Sequence, residues 1–227
     1  MNDETTTTNT DEALHAGAVR SGLLSRRRLL VGGAASVALF AAACGDDDDD
    51  ASGSTTTAAG GTVDIPEVAI QVGTIAAQLE VLAVGTYQAG LDAATAGSLG
   101  EVPPAVATYV QTALMHHQEA LDAWNGGLSL AGAPTVTEPN PELKATVDAM
   151  FAEVTDVPGL ANLALTLEKI AAHTYLAALP LLSTPEAIRL AGSIQAVDQQ
   201  HQAILLFAIG QYPVPEVFQS TDQAVTA

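Results

Sequence analysis

The sequence predicts an all-α fold: an up-down four-helix bundle assembled from two repeated helix pairs, with a short extra helix between the second and third long helices. Three observations carry this. From Pro66 onward the chain is rich in Ala, Leu, Gln and Glu, poor in aromatic residues, and nearly free of the alternating β-branched pattern of strands. Proline and glycine residues divide that stretch into four long segments and one short one. Finally, Leu79–Leu91 (LEVLAVGTYQAGL) matches Leu167–Leu179 (LEKIAAHTYLAAL) without a gap, the mark of an internal duplication.

The N-terminus reads as an address. Residues 1–24 are polar, and SRRRLL (Ser25–Leu30) then opens an uncharged run from Leu29 to Ala43. A helix needs about 20 apolar residues to cross a bilayer, whereas the apolar region of a signal peptide is roughly 7 to 15 long, so residues 1–43 are assigned to a signal peptide. Arg26 and Arg27 after Ser25 resemble the twin-arginine export signal, whose carriers cross the membrane already folded. Ala41-Ala42-Ala43-Cys44 resembles a lipobox, which makes Cys44 the lipidated first residue of the mature chain. An uncleaved anchor is the alternative, and either arrangement puts the rest outside the cytoplasmic membrane. Residues 44–65, with Asp46 to Asp50 and a Ser/Thr/Gly-rich stretch, form an acidic tether. About 20 such residues span roughly 25 Å, enough to hold a domain clear of the headgroups.

The bundle is assigned to residues 66–212. Its first helix runs from Pro66 to about Gly97, and Gly100 and Pro103-Pro104 end the connection. The second spans about Pro104 to Leu130. Asn140-Pro141 then caps a short helix over Glu142–Thr155. Pro158-Gly159 restarts the chain, and the third long helix covers about Leu160 to Leu182. Thr184-Pro185 caps the fourth, which ends at Gly210. Residues 213–227 are a tail, read as an extended strap.

With 227 residues, 48% of them hydrophobic, the chain can bury one sizeable core. Seven Lys+Arg against 26 Asp+Glu give a net charge of -19. Cleavage before Cys44 removes Arg20, Arg26, Arg27 and Arg28 together with Asp3, Glu4, Asp11 and Glu12, so the mature chain keeps that charge. Such a surface repels phosphate backbones and excludes nucleic-acid binding. Cys44 is the only cysteine, which excludes an internal disulfide framework and any cysteine-based metal cluster.

The repeat sets Glu80 against Glu168 and Tyr87 against Tyr175. At helical spacing Glu80 shares a face with Gly73, Ala76, Ala77, Ala83, Val84 and Tyr87. Glu168 shares one with Ala161, Ala164, Leu165, Ala171, Ala172 and Tyr175, and Asp198 and His201 share one with Ile194, Val197, Leu205 and Ala208. These carboxylates point where a core belongs. An ionised carboxylate there costs several kcal/mol unless paired, and neither Lys169 nor Arg189 lies on the right face. A hard divalent cation satisfies such a face, with iron or manganese as the leading candidates and one or two ions. Tyr87 and Tyr175 are read as aromatic core, with a hydroxyl hydrogen bond near the site as the alternative. His117, turned about 100° from His116, is read as a surface or groove residue with a lesser claim to be the ligand of the second helix. Trp124 and Asn125 close one end of the bundle, and His173 lies at the surface or behind the site.

Glu80 and Glu168 on the first and third helices, with Asp198-x-x-His201 on the fourth, resemble the layout of ferritin-like bundles. Over roughly residues 66 to 212 the chain resembles the exported ferritin-like domain proteins of bacteria. The resemblance implies a metal site of Glu80, His116, Glu119, Glu168, Asp198 and His201. Two departures stand out: the second helix carries His116-x-x-Glu119 in place of Glu-x-x-His, and the fourth carries the shorter Asp198. The resemblance therefore implies a lipid-tethered, extracytoplasmic metalloprotein engaged in redox or metal handling. A metal-free bundle serving as a cell-surface binding or structural module is the alternative, and no reaction is assigned.

Overall fold

Pro66 precedes the first helical turn of α1 (Glu67–Thr95), and Pro104 begins α2 (Pro104–Leu130). Both places suit a residue without an N–H, because the first amides of a helix have no partner inside it. The computed structural model describes residues 66–226. The signal segment 1–43, Cys44 and the tether 44–65 lie outside the described residues. The remaining helices are α3 (Pro141–Ala152), α4 (Val157–Ala178) and α5 (Pro185–Ala208), with a 3₁₀ turn over Leu179–Leu181. The described residues contain no strand.

Caps explain most of the boundaries. Asn140 accepts from the amides of Glu142 and Leu143 at the start of α3, and Thr184 accepts from Ala187 at the start of α5. The third long helix begins three residues before its expected start, because Asp156 caps it by accepting from Gly159 N at 2.8 Å. It also stops earlier than expected. Pro180 has no amide to continue the ladder, and the chain tightens there into the 3₁₀ turn. Helix α3 ends at Ala152 rather than Thr155. At the ends of α1 and α2, Gly97 and Gly132 adopt φ of 74° and 71°. Their amides bond back to Ala94 and Ser129, and the next amides, of Ser98 and Ala133, bond to Ala93 and Leu128, which closes each helix in a Schellman motif.

Within each pair the helices run antiparallel: Gly73 of α1 lies against Trp124 and Leu128 of α2 and Tyr87 against Tyr109, while Glu168 of α4 meets His201 of α5 and Leu179, just past α4, lies near Gly192. Helices α1 and α4 are also antiparallel, since Glu80 meets Tyr175 and Tyr87 meets Glu168. It follows that α2 and α4 point the same way, and the chain must return along the bundle between them. The 131–156 connection, with α3 inside it, makes that return. Val147 of α3 packs with Leu82, Leu163 and Leu167 over α1 and α4.

Besides that cluster under α3, the core holds two larger apolar clusters, one at each end of the bundle. Val72, Ala76, Trp124, Leu128, Tyr175 and Leu182 belong to the first, and Ala83, Tyr87, Val110, Leu165 and Leu205 to the second. Of the expected inner-face residues, Val84, Ala161, Ile194 and Val197 are half-buried and Ala208 is exposed, because the apolar stripe of each helix is narrower than its composition suggests. Helix α1 is long and apolar enough to cross a membrane by composition, yet it packs against α2 and α4 and carries a buried Glu80. Asn125 clamps the α2–α3 connection by bonding both the amide and the carbonyl of Val136. After α5 the chain is irregular. It is tied down where Gln223 N donates to His173 Nδ1 and Val225 N to Thr174 Oγ1.

Gly132→Ala places a Cβ in the left-handed region and is expected to lower the unfolding free energy by about 1 kcal/mol. A shifted urea midpoint with an unchanged slope checks this.

Candidate metal centre

Between the two apolar clusters lies a layer of buried polar side chains. Glu80, Glu168 and Asp198 are each 1% exposed, His117 is 2% and His201 is 4%. The duplication is visible here atom by atom. Oε2 of each glutamate faces the histidine of its own helix pair: Glu80 lies 2.8 Å from His117 Nδ1, and Glu168 lies 3.3 Å from His201 Nδ1. Oε1 of each accepts from the tyrosine of the other pair, Tyr175 donating to Glu80 and Tyr87 to Glu168. The expectation that these tyrosines serve only as aromatic core is corrected. A seven-residue spacing on two antiparallel helices crosses each hydroxyl onto the opposite carboxylate. Helix α2 supports both hydroxyls, with Trp124 Nε1 donating to Tyr175 at 2.9 Å and Tyr109 O–H lying 3.0 Å from that of Tyr87.

His117, not His116, is the inner histidine of α2. Its Nε2 also lies 3.1 Å from Glu168 Oε1, so the ring bridges the two glutamates. His116 is half-buried at the edge, stacked 8° from parallel on His201, with its Nδ1 3.1 Å from His201 Nε2. Glu119 is exposed at the edge of α2 and is not part of the buried layer. The equivalent of Asp198-x-x-His201 on α2 is therefore Leu114-x-x-His117, with Leu114 where the second repeat has its aspartate. A sequence signal for this exists: His117-Gln118-x-x-Leu121 repeats as His201-Gln202-x-x-Leu205. The glutamate and histidine of a pair are 37 residues apart in the first repeat and 33 in the second, so the offset read from α1 and α4 misaligns α2 and α5.

The electrostatics follow from burial and from these contacts. Burial pushes the Glu168 carboxyl up, but the charge and hydrogen bond of His117 and the hydrogen bond of His201 outweigh it and hold the group at about 2. The stability it contributes is present above the ordinary value near 4.5 and is lost as the pH falls toward 2. Burial pushes His117 down, but Glu168 and Glu80 hold it well above its ordinary value, so it is an imidazolium with both nitrogens donating. Burial, then the charges of Glu168 and Glu80, push Asp198 well above the carboxylate range. Its Oδ2 is buried with no hydrogen-bond partner.

Ligand atoms of His117, Glu168, Asp198 and His201 all lie within 4.8 Å of one another. Once His117 and Asp198 give up their protons, two imidazoles and two carboxylates make a donor set for a divalent first-row ion, and the orphaned Asp198 Oδ2 is a buried oxygen that a cation would satisfy. The residues fit a metal. Glu80 adjoins the set through His117.

Tyr175→Phe leaves both Glu80 Oε1 and the indole N–H of Trp124 without a partner. It is expected to cost about 3 kcal/mol, against about 1 to 2 kcal/mol for Tyr87→Phe, in chemical denaturation with chelator present. Asp198 has a second, pH-dependent consequence. A raised folded value means that the native state holds a proton the unfolded chain has lost, so stability falls as the pH rises above the ordinary 3.8. In chelator, Asp198→Asn is therefore expected to melt at or above the parent's temperature, with a gap that is wider at neutral pH than at about pH 4.

No curated protein and no solved structure matches this sequence. The family model described as Ferritin-like domain matches residues 69–211, which hold the four long helices apart from the first two residues of α1, and every residue of the buried layer. The chain, with its duplicated helix pairs around a core of carboxylates and imidazoles, belongs to the ferritin-like domain family.

Proposed function

We propose that this protein is an exported, lipid-tethered metalloprotein whose bundle binds one divalent iron or manganese ion through Glu168, Asp198, His117 and His201. The observation that carries the reading is the orphaned, buried Asp198 Oδ2 beside three other potential ligands. One ion is favoured over two because Leu114 stands where a second inward carboxylate would be needed. Bound there, such a metal supplies one-electron redox chemistry or a storage site.

The chain's own residues do the rest. Tyr87 orients Glu168 and Tyr175 orients Glu80. The Gln202 side chain ties α5 to the backbone of α4 by donating from Nε2 to the Glu168 carbonyl at 3.1 Å. In this reading Cys44 attaches the chain to the outer face of the cell membrane, and the acidic tether keeps the domain clear of it. Export of an already folded domain lets the ion be loaded before secretion.

A second reading is favoured by one observation. The His117 imidazolium already bridges Glu80 and Glu168, which makes a self-sufficient ionic core without metal. The chain would then be a metal-free cell-surface binding or structural module. Metal content measured by mass spectrometry on protein purified without chelator, beside Glu168→Ala and His201→Ala, separates the two. About one equivalent of iron or manganese, lost in both variants together with any chelator-sensitive rise in melting temperature, is expected for the metal reading. No metal in the parent selects the second.

A further inference from the structure

The buried layer is sealed on one side and open on the other. Helix α1 packs on α2 and α4, and α4 packs on α5, whereas α2 and α5 meet only sparsely. Between α1 and α4 the space beside Glu80, His117 and Glu168 is ≈ 10 Å³, room for a single water at most. Between α2 and α5 lies a groove of ≈ 240 Å³. Small side chains, Ala123 on one wall and Ser193 on the other, keep it open, and His117 and Asp198 lie at its floor. His116 and Glu119, three residues apart on one face of α2, stand at its mouth, Glu119 exposed and His116 half-buried. No lysine or arginine lines it. The orphaned Oδ2 belongs to the floor residue Asp198.

We propose that this groove is the path by which a divalent cation reaches the buried cluster, with Glu119 and His116 as its first, exchangeable ligands and Asp198 as the receiving carboxylate. The inference rests on the metal-site reading above and adds to it a direction of approach. It also gives a role to the His116-x-x-Glu119 pair, which α2 turns away from the core. A carboxylate and an imidazole at a groove mouth raise the local cation concentration without competing for the final site, because they hold the ion with few ligands and in water.

The test separates the rate of loading from the amount bound. Apo full-length protein is mixed with cobalt(II) chloride in a stopped-flow instrument, absorbance from the bound ion is followed, and bound metal is then measured at equilibrium. Glu119→Gln removes the outer carboxylate, Ser193→Trp plugs the groove, and Glu101→Gln makes the same charge change at an exposed loop position as control. Loading is expected to slow about tenfold in Glu119→Gln and further in Ser193→Trp, while Glu101→Gln loads at the parental rate. All four chains should bind the same amount of cobalt at equilibrium. Normal binding with unchanged rates in both groove variants overturns the route and leaves the metal site standing. No cobalt bound by the parent overturns the metal site and the route together.

Discussion

Glu80 and Glu168 sit at the centre of an alanine- and leucine-rich bundle, and a carboxylate at that depth is tenable only if several donors converge on it. The rest of the architecture can be understood from that requirement. A tyrosine seven residues along the same helix cannot reach its own glutamate. It can reach the other one if the two helices run antiparallel. The crossed Tyr87–Glu168 and Tyr175–Glu80 bonds thus select the antiparallel arrangement of α1 and α4. That arrangement forces α2 and α4 to point the same way, and the long return containing α3 is its consequence.

The duplication accounts for the symmetric part of the polar layer, and the unpartnered oxygen lies where the symmetry fails. Each pair supplies a glutamate, a tyrosine and an inner histidine in matching contacts. Only the second supplies an inner aspartate. In the first pair α2 adds three further partners, Tyr109 for Tyr87, Trp124 for Tyr175 and His116 for His201. The first pair is built to position, and the second presents an unsatisfied oxygen. One half of the buried layer therefore holds the other in shape.

Much of this was legible in the chain. Helix number, order and caps follow from Pro, Gly, Asn140 and Thr184, whose effects are local. The inward glutamates follow from the helical period together with the repeat, and Asp198 and His201 from their spacing. The inner histidine of α2 was not legible from that spacing. His116 and His117 are adjacent, and a rotation of about 100° decides which faces inward. That rotation is set by the packing of Trp124 and Leu128 on α1, contacts between residues far apart in sequence. Asp156 was missed as a cap because the proline two residues on drew the boundary to itself.

The sequence by itself determined the all-α class, the two-pair repeat and a set of carboxylates too deep to be left unpaired, because helical period and proline or glycine punctuation act within a few residues. Tertiary structure alone decided which groups answer those carboxylates. The crossed tyrosines, the bridging His117, the exclusion of Glu119 and the groove beside Asp198 depend on how antiparallel helices are rotated and spaced. Those rotations and spacings are fixed by side-chain packing across the bundle, which local sequence pattern does not specify.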